Sequence, residues 1–455
     1  MTLLRTGIGL LFILASATAQ AQDVDLRLSG SNTIGAALAP QLARDWLRSH
    51  GFDRVQRIEL AELEIRLVGT NAQGGQRAVE IAAHGSGTSF RALKAGIADI
   101  GMSSRPIRES ERVSLGITER YSSLSNEHVI GLDGIAIVVH PDSPLRAITI
   151  AQLRAIFSGQ ITNWAELGLP GGSIQVYARD DKSGTFDTFD SLVMADAAIA
   201  TSARRYESTS DLSDDVSNDP NGIGFVGLPY VRSSRAVAVK NGASRPTAAE
   251  EFTIATEDYA LARRLFLYTP KAGDITPLAQ DFVNFAVSER GQRLVESTGF
   301  VAQRIVEARP TALMGAPDEY LTMTDTALRL SLNFRFHPSA TTLDSKGVAD
   351  LNRLVEYLQR PGQLQRSVLL AGFADASEVS PYLSLALSND RADYVARLLV
   401  NRGVRVERVR GFGPALPVAD NQSSNGRGKN RRVEVWLSTP AMPGGNAPVS
   451  QLAER

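Results

Sequence analysis

The chain has 455 residues, enough for roughly two to three domains of ordinary size. Hydrophobic residues make up 43% and charged residues 21%, a globular composition, and 48 basic against 49 acidic residues leave a net charge of −1, with no basic field for a nucleic acid. Cysteine is absent, which excludes disulfides, cysteine–zinc and iron–sulfur centres, thiol catalysis and lipid attachment through sulfur. The five histidines (His50, His84, His128, His140, His337) are too far apart in the sequence to suggest a local ligand pair. No metal and no cofactor are therefore expected.

Residues 1–21 read as a signal peptide. Arg5 supplies the positive start, and Gly7 to Ala15 form an apolar run too short to span a bilayer. Ala19-Gln20-Ala21 fits the small-x-small cleavage rule, so the mature chain is expected to begin at Gln22. No later run reaches membrane-spanning length. The expectation is an exported protein with no transmembrane segment after cleavage.

Residues 24–306 alternate strand-like and helix-like runs, and one arrangement occurs three times. A run with period-two apolar residues (Leu26 and Leu28; Ile65 and Leu67; Ile174 and Val176) leads to a small polar loop. A helical pattern then follows: Ile34, Leu38, Leu42, Trp46 in the first unit, Phe90, Leu93, Ile97 in the second, and Phe186, Phe189, Val193 in the third. The loops read Ser29-Gly30-Ser31-Asn32-Thr33, Gly85-Ser86-Gly87-Thr88-Ser89 and Lys182-Ser183-Gly184-Thr185. The first turn of a helix has unpaired N–H groups and the positive end of the dipole, so such loops suit anions. Taken singly, each is as well explained by helix capping. Three in one region, one of them following Arg179, point to a ligand.

These residues resemble the PstS-type phosphate-binding proteins of ABC importers. The resemblance runs through Gly30-Ser31-Asn32-Thr33, Ala98 to Arg105, Asp133 to Val139, Ile156 to Gly159, and Asn163-Trp164. It continues through Arg179 with Ser183-Gly184-Thr185 and Gly222 to Phe225. It implies an α/β domain of two lobes joined by crossover strands and closing on an oxyanion, phosphate by family. Matched to the motifs, the ligand residues are Ser31, Thr33, Ser86, Arg179, Ser183, Gly184 and Thr185, with Asp181 orienting Arg179. Where some members place a proton-accepting aspartate after the serine turn, this chain has Arg105, as in another branch, and Arg105 is counted with the ligand residues. An ABC permease is the partner the resemblance implies.

Residues 307–325, with Pro310, Gly315 and Pro317, read as a linker, and 440–455 as a disordered tail. Between them, 326–439 read as β-α-β-α-β. The order is a strand at Leu328, Leu330 and Leu332, a helix with Leu351, Leu354, Val355 and Leu358, a strand at Ser367–Leu370, a helix with Val395, Leu398 and Leu399, and a closing strand at Val433, Val435 and Leu437. An extra short strand falls near Val404–Val409. Gly372 to Asp375, Leu387 to Ala392, Val404 to Gly413, Pro417 to Asn421 and Asn430 to Glu434 resemble the OmpA-like peptidoglycan-binding domain. The resemblance implies that Asp375 and Arg391 grip the ammonium and carboxylate of diaminopimelate in the stem peptide. The chain departs from the family at Ala374 and Ser384, while Arg431 and Arg432 read as structural.

No G-x-S-x-G elbow, phosphate-loop lysine motif or H-E-x-x-H occurs, so no enzyme is expected. Together the two resemblances imply a phosphate-binding protein tethered to the wall of a Gram-negative type of envelope, periplasmic and close to the outer membrane, serving capture, transport or sensing. The competing reading is a structural or interaction protein whose first domain has lost or changed its ligand.

Overall fold

The structure is a computed structural model describing residues 24–117, 126–181, 183–195, 197–271, 273–310, 315–337, 341–377 and 380–439. The signal peptide and the tail lie outside these residues. The strands are β1 Leu26–Gly30, β2 Arg54–Ala61, β3 Glu64–Thr70, β4 Gln76–Ala82, β5 Ile100–Ser103, β6 Glu127–Val139, β7 Ala147–Thr149, β8 Gln175–Arg179 and β9 Arg204–Tyr206. They continue as β10 Gly222–Gly227, β11 Arg235–Lys240, β12 Ala262–Tyr268, β13 Glu307–Ala308, β14 Ala327–Arg335, β15 Val368–Gly372, β16 Val406–Gly411 and β17 Arg432–Ser438.

The first domain has two lobes sharing one long strand. Its strand order is β2-β3-β4-β1-β5-β12-β6-β10-β8-β9, with β11 and β7 alongside. β6 pairs with β12 up to Gly134 and with β10 from Ile135 onward, so it passes from one lobe to the other. Each lobe has its own core. Ile34, Leu38, Leu42 and Trp46 are buried against Leu26, Leu28 and Phe282 in the first. Phe157, Phe189 and Phe225 fill the second, with Phe189 and Phe225 stacked at 4.0 Å.

Two details differ from the sequence reading. The strand leading into the Gly85–Ser89 loop is β4, because Ile65 and Leu67 belong to β3, which forms a hairpin with it. Ile97 is 66% exposed, since the helix Ser86–Lys94 ends before it and Gly96 turns the chain at φ 68°.

The second domain has a sheet in the order β13-β14-β17-β15-β16. Helices Ser345–Leu358 and Pro381–Val400 cover one face through Leu351, Leu354, Val395 and Leu399. The stretch expected as a linker contains two regular elements, while its residues 311–314 lie outside the described residues. Glu307–Ala308 is β13, and Asp318–Thr324 is a helix that places Tyr320 and Met323 against Phe373, Phe412 and Trp436 on the other face. The two prolines and the glycine masked an apolar pair three residues apart, with Pro317 standing at the helix start. Tyr320→Ala should therefore lower the unfolding free energy by about 3–5 kcal/mol, as for other buried aromatics, in a urea titration.

The domains dock along the segment that enters β12. Arg264 Nη1 donates to Asp344 Oδ2 at 2.7 Å, and Arg329 Nη2 lies 2.8 Å from Asp258 Oδ2. Asn333 Nδ2 donates to the Thr256 carbonyl at 2.8 Å, and Lys429 Nζ to the carbonyls of Tyr259, Ala260 and Ala262 at 2.9, 3.1 and 3.2 Å. Among the described residues no helix is long and apolar enough to cross a membrane.

His128 on β6 has a buried Nε2 without a partner, and burial pulls its pKa from 6.5 down to about 4. Its depressed value means that the unfolded chain binds the proton first, so stability is full at neutral pH and falls as pH drops from 6.5 towards 4. Urea midpoints measured across that window should slope downward in acid, and His128→Gln should flatten the slope.

Candidate anion-binding site

Each loop is placed by the strand before it. Ser31 follows β1 and stands at the start of the short helix Asn32–Gly35; its N–H donates to the Met102 carbonyl at 2.9 Å, while its Oγ is buried without a partner. Gly30 before it has φ 141°, and a Cβ there would lie 2.0 Å from the Met102 carbonyl oxygen, so only glycine allows this approach. In the second loop, Ser86 Oγ accepts from the Ser104 N–H at 3.0 Å and lies 3.2 Å from Ser104 Oγ. In the third, Ser183 caps the helix Gly184–Phe189, its Oγ accepting from the N–H groups of Thr185 and Phe186 at 3.2 and 3.4 Å.

The first and third loops touch. A Cβ on Gly184 would stand 2.7 Å from both Cα and Oγ1 of Thr33, and Thr33 Oγ1 lies 3.3 Å from the Gly184 carbonyl. Two helix starts from opposite lobes thus face each other across the cleft.

A residue that sequence reasoning missed ties them together. Arg263, on β12, donates from Nη2 to Thr33 Oγ1 at 2.6 Å and to the Gly184 carbonyl at 2.8 Å, and from Nη1 to Ser104 Oγ at 3.0 Å. Its Nε donates to Asp133 Oδ2 at 3.2 Å, across the β6–β12 pairing that joins the lobes. Burial lowers the guanidinium's pKa, with Asp133 and Asp187 opposing that shift. Asp187, on the first turn of the third helix, has its carboxyl pushed up by burial, against the attraction of Arg263. The available signal was Arg263-Arg264 itself, two cations inside a strand that is otherwise apolar (ARRLFLY).

Of the other expected ligands, Ser86 joins this hub through Ser104, whereas Arg179 and Arg105 have other partners. Arg179 donates from Nε to the Tyr206 carbonyl at 3.1 Å, from Nη1 to Thr209 Oγ1, and from Nη2 to Asp180 Oδ2 at 3.4 Å. Among the described residues, its one contact toward the third loop is Asp180. Asp181 pairs with Arg205 and does not orient Arg179, a role that falls to Asp180. Arg105 is held bidentate by Glu111 at 2.8 and 2.7 Å and lies over the Phe90 ring at 5.4 Å, beside the second helix start. Arg179→Ala should weaken phosphate binding by about tenfold in a calorimetric titration, the size of one charge-assisted hydrogen bond lost indirectly through a loosened loop.

In the second domain, Asp375 is 1% exposed. Its Oδ1 accepts from the N–H and Oγ of Ser377 at 3.0 and 2.8 Å, and its Oδ2 from Arg431 Nη1 at 2.9 Å. Arg391 is fully buried, its guanidinium 5.3 Å from the centre of the Phe336 ring. Arg431 thus shares the Asp375 carboxylate, while Arg432 is structural, donating to Glu434 and lying 4.0 Å from the Phe373 ring centre.

Two lobes sharing the long strand β6, with helix starts converging on a buried guanidinium, define a substrate-binding protein, here followed by a second α/β domain. The chain belongs to the PBP superfamily: residues 60–290, about half its length, match the model of the PBP superfamily domain. Residues 335–431 match the OmpA family. The phosphate-binding protein PstS of Pseudomonas aeruginosa is 28% identical over 240 residues, covering 49% of this chain and 73% of that protein. The protein of the same name from Staphylococcus saprophyticus is 30% identical over 227 residues, covering 48% and 69%. Among solved structures, an ABC-type phosphate transport receptor from Vibrio cholerae aligns at 26% identity and TM-score 0.47, covering 61% of this chain and 99% of that one. The first domain is PstS-like and the second OmpA-like, and these relatives carry the names of binding proteins rather than enzymes.

Proposed function

We propose that the mature chain is an exported phosphate-binding protein tethered to peptidoglycan. Its first domain binds phosphate between the lobes, and its second holds the wall through Asp375 and Arg391. The observation that carries the first half is Arg263, which gathers Thr33, Ser104 and Gly184 from three segments around one buried positive charge. An oxyanion seated there accepts from the remaining Nη1 N–H of that guanidinium, from Ser31 Oγ, and from the backbone N–H groups of Thr33 and Gly184. Those donors are fixed before the ligand arrives, which reduces the ordering cost of binding. Asp133 and Asp187 beside them supply acceptors for the proton of hydrogen phosphate, a role for which sulfate at neutral pH has no matching donor.

Attachment to the wall suits a capturing or sensing protein that waits in place, with an ABC permease as the receiver of its ligand. Isothermal titration of the full mature chain with phosphate, sulfate and arsenate tests this reading. Phosphate and arsenate should release heat in a phase that Arg263→Met removes, and sulfate should show no such phase. Silence with all three anions would refute it.

A further inference from the structure

Between the two domains lies a cavity of about 630 Å³ that adjoins Arg263 on one side and Phe336 and Arg431 on the other. Most of the cations around it already have carboxylates. Arg264 has Glu257 and Asp344, Arg263 has Asp133, and Arg431 has Asp375. Among the described residues, two further wall residues, Arg335 and Lys429, have no carboxylate within ion-pair distance. Arg335 is 3% exposed; its Nη2 donates to the Thr256 carbonyl at 2.8 Å, while Nε and Nη1 are buried without any partner. Lys429 is 6% exposed, and its Nζ meets backbone carbonyls, which are dipoles rather than charges.

A buried cation with open donors, as Arg335 is, is costly unless an anion completes it, whereas Lys429 has spent its three N–H groups on carbonyls and contributes its charge. Burial lowers both pKa values, to about 10 for Arg335 and about 8 for Lys429, against the pull of Glu257 and Asp258. Arginine retains its proton at neutral pH and presents N–H donors in the plane that carboxylates and phosphoryl groups prefer. We propose that this interdomain cavity is a second anion site, taking one oxyanion group, phosphoryl or carboxylate, on Arg335 with Lys429 beside it. The cavity is wider than orthophosphate, so the group can belong to a larger organic acid or be a free ion. The site is built from both domains and exists only in the fused chain.

Equilibrium dialysis of the full mature chain with labelled phosphate, and separately with labelled citrate, distinguishes these sources. With at least one probe, wild type should bind one equivalent more than Arg335→Met. Arg263→Met should keep that equivalent while losing the one between the lobes. An extra equivalent of phosphate identifies the free ion, and one seen only with citrate identifies an organic acid. Lys429→Met should weaken the same equivalent at least tenfold, and it carries the test if Arg335→Met does not give a native melting curve. Equal binding of both probes by wild type and the folded variant overturns the proposal. Loss of phosphate binding at the lobes alone would count against the function proposed above and leave this site standing.

Discussion

Arg263→Met should reduce phosphate affinity at least a hundredfold, the largest effect of any single change in the first domain. One charge-assisted hydrogen bond from the remaining Nη1 N–H, at about 1.5–3 kcal/mol, together with the loosening of Thr33, Ser104 and Gly184 that the guanidinium holds, corresponds to that factor. The variant also strips Asp133 of its partner in a site where the paired side chains are only 8% and 11% exposed. Removing one partner of a buried pair costs about 3–5 kcal/mol of stability. Arg263→Met/Asp133→Asn removes both charges together, and should regain most of that stability while still failing to bind phosphate. Calorimetry and urea titration on the two variants separate recognition from folding. Retained affinity in the folded double variant would show that Arg263 only props the loops.

The second large effect concerns the wall. In the full chain, Arg391→Met and Asp375→Asn should each abolish co-sedimentation with diaminopimelate-containing peptidoglycan. Truncating one side of an enclosed charge pair costs about 2–5 kcal/mol, against about 0–1 kcal/mol at an exposed surface. The isosteric asparagine is needed because Asp375 also holds Arg431, and alanine would unsettle that contact. Far-ultraviolet circular dichroism should remain native in both. If both variants still pellet, the domain grips something other than the stem peptide.

Much of this was legible in the sequence where a residue's neighbours along the chain determine its place. The period-two and i+4 patterns located β1, the helix containing Leu42 and Trp46, and both main helices of the second domain, because burial of one face is a local property. What escaped was set by tertiary contact. Arg179 stands in a motif with Ser183 and Gly184, yet its guanidinium goes to Tyr206 and Thr209, partners that only the β8–β9 pairing brings near. Arg263 carries no motif, and its role comes from lying opposite Asp133 across two strands far apart in sequence. Tyr320 and Met323 were hidden among turn-forming residues, and the docking of the domains depends on single contacts such as Lys429 with three carbonyls.

Arg263 and Arg264 are successive residues of β12, so their side chains leave opposite faces of the strand. One reaches into the cleft and the other grips Asp344 at the start of a helix in the second domain. One strand therefore answers to two neighbours, the cleft through Arg263 and the second domain through Arg264. A substitution at either arginine has to be read against both, because the joint between the domains is built into the same element that serves the cleft.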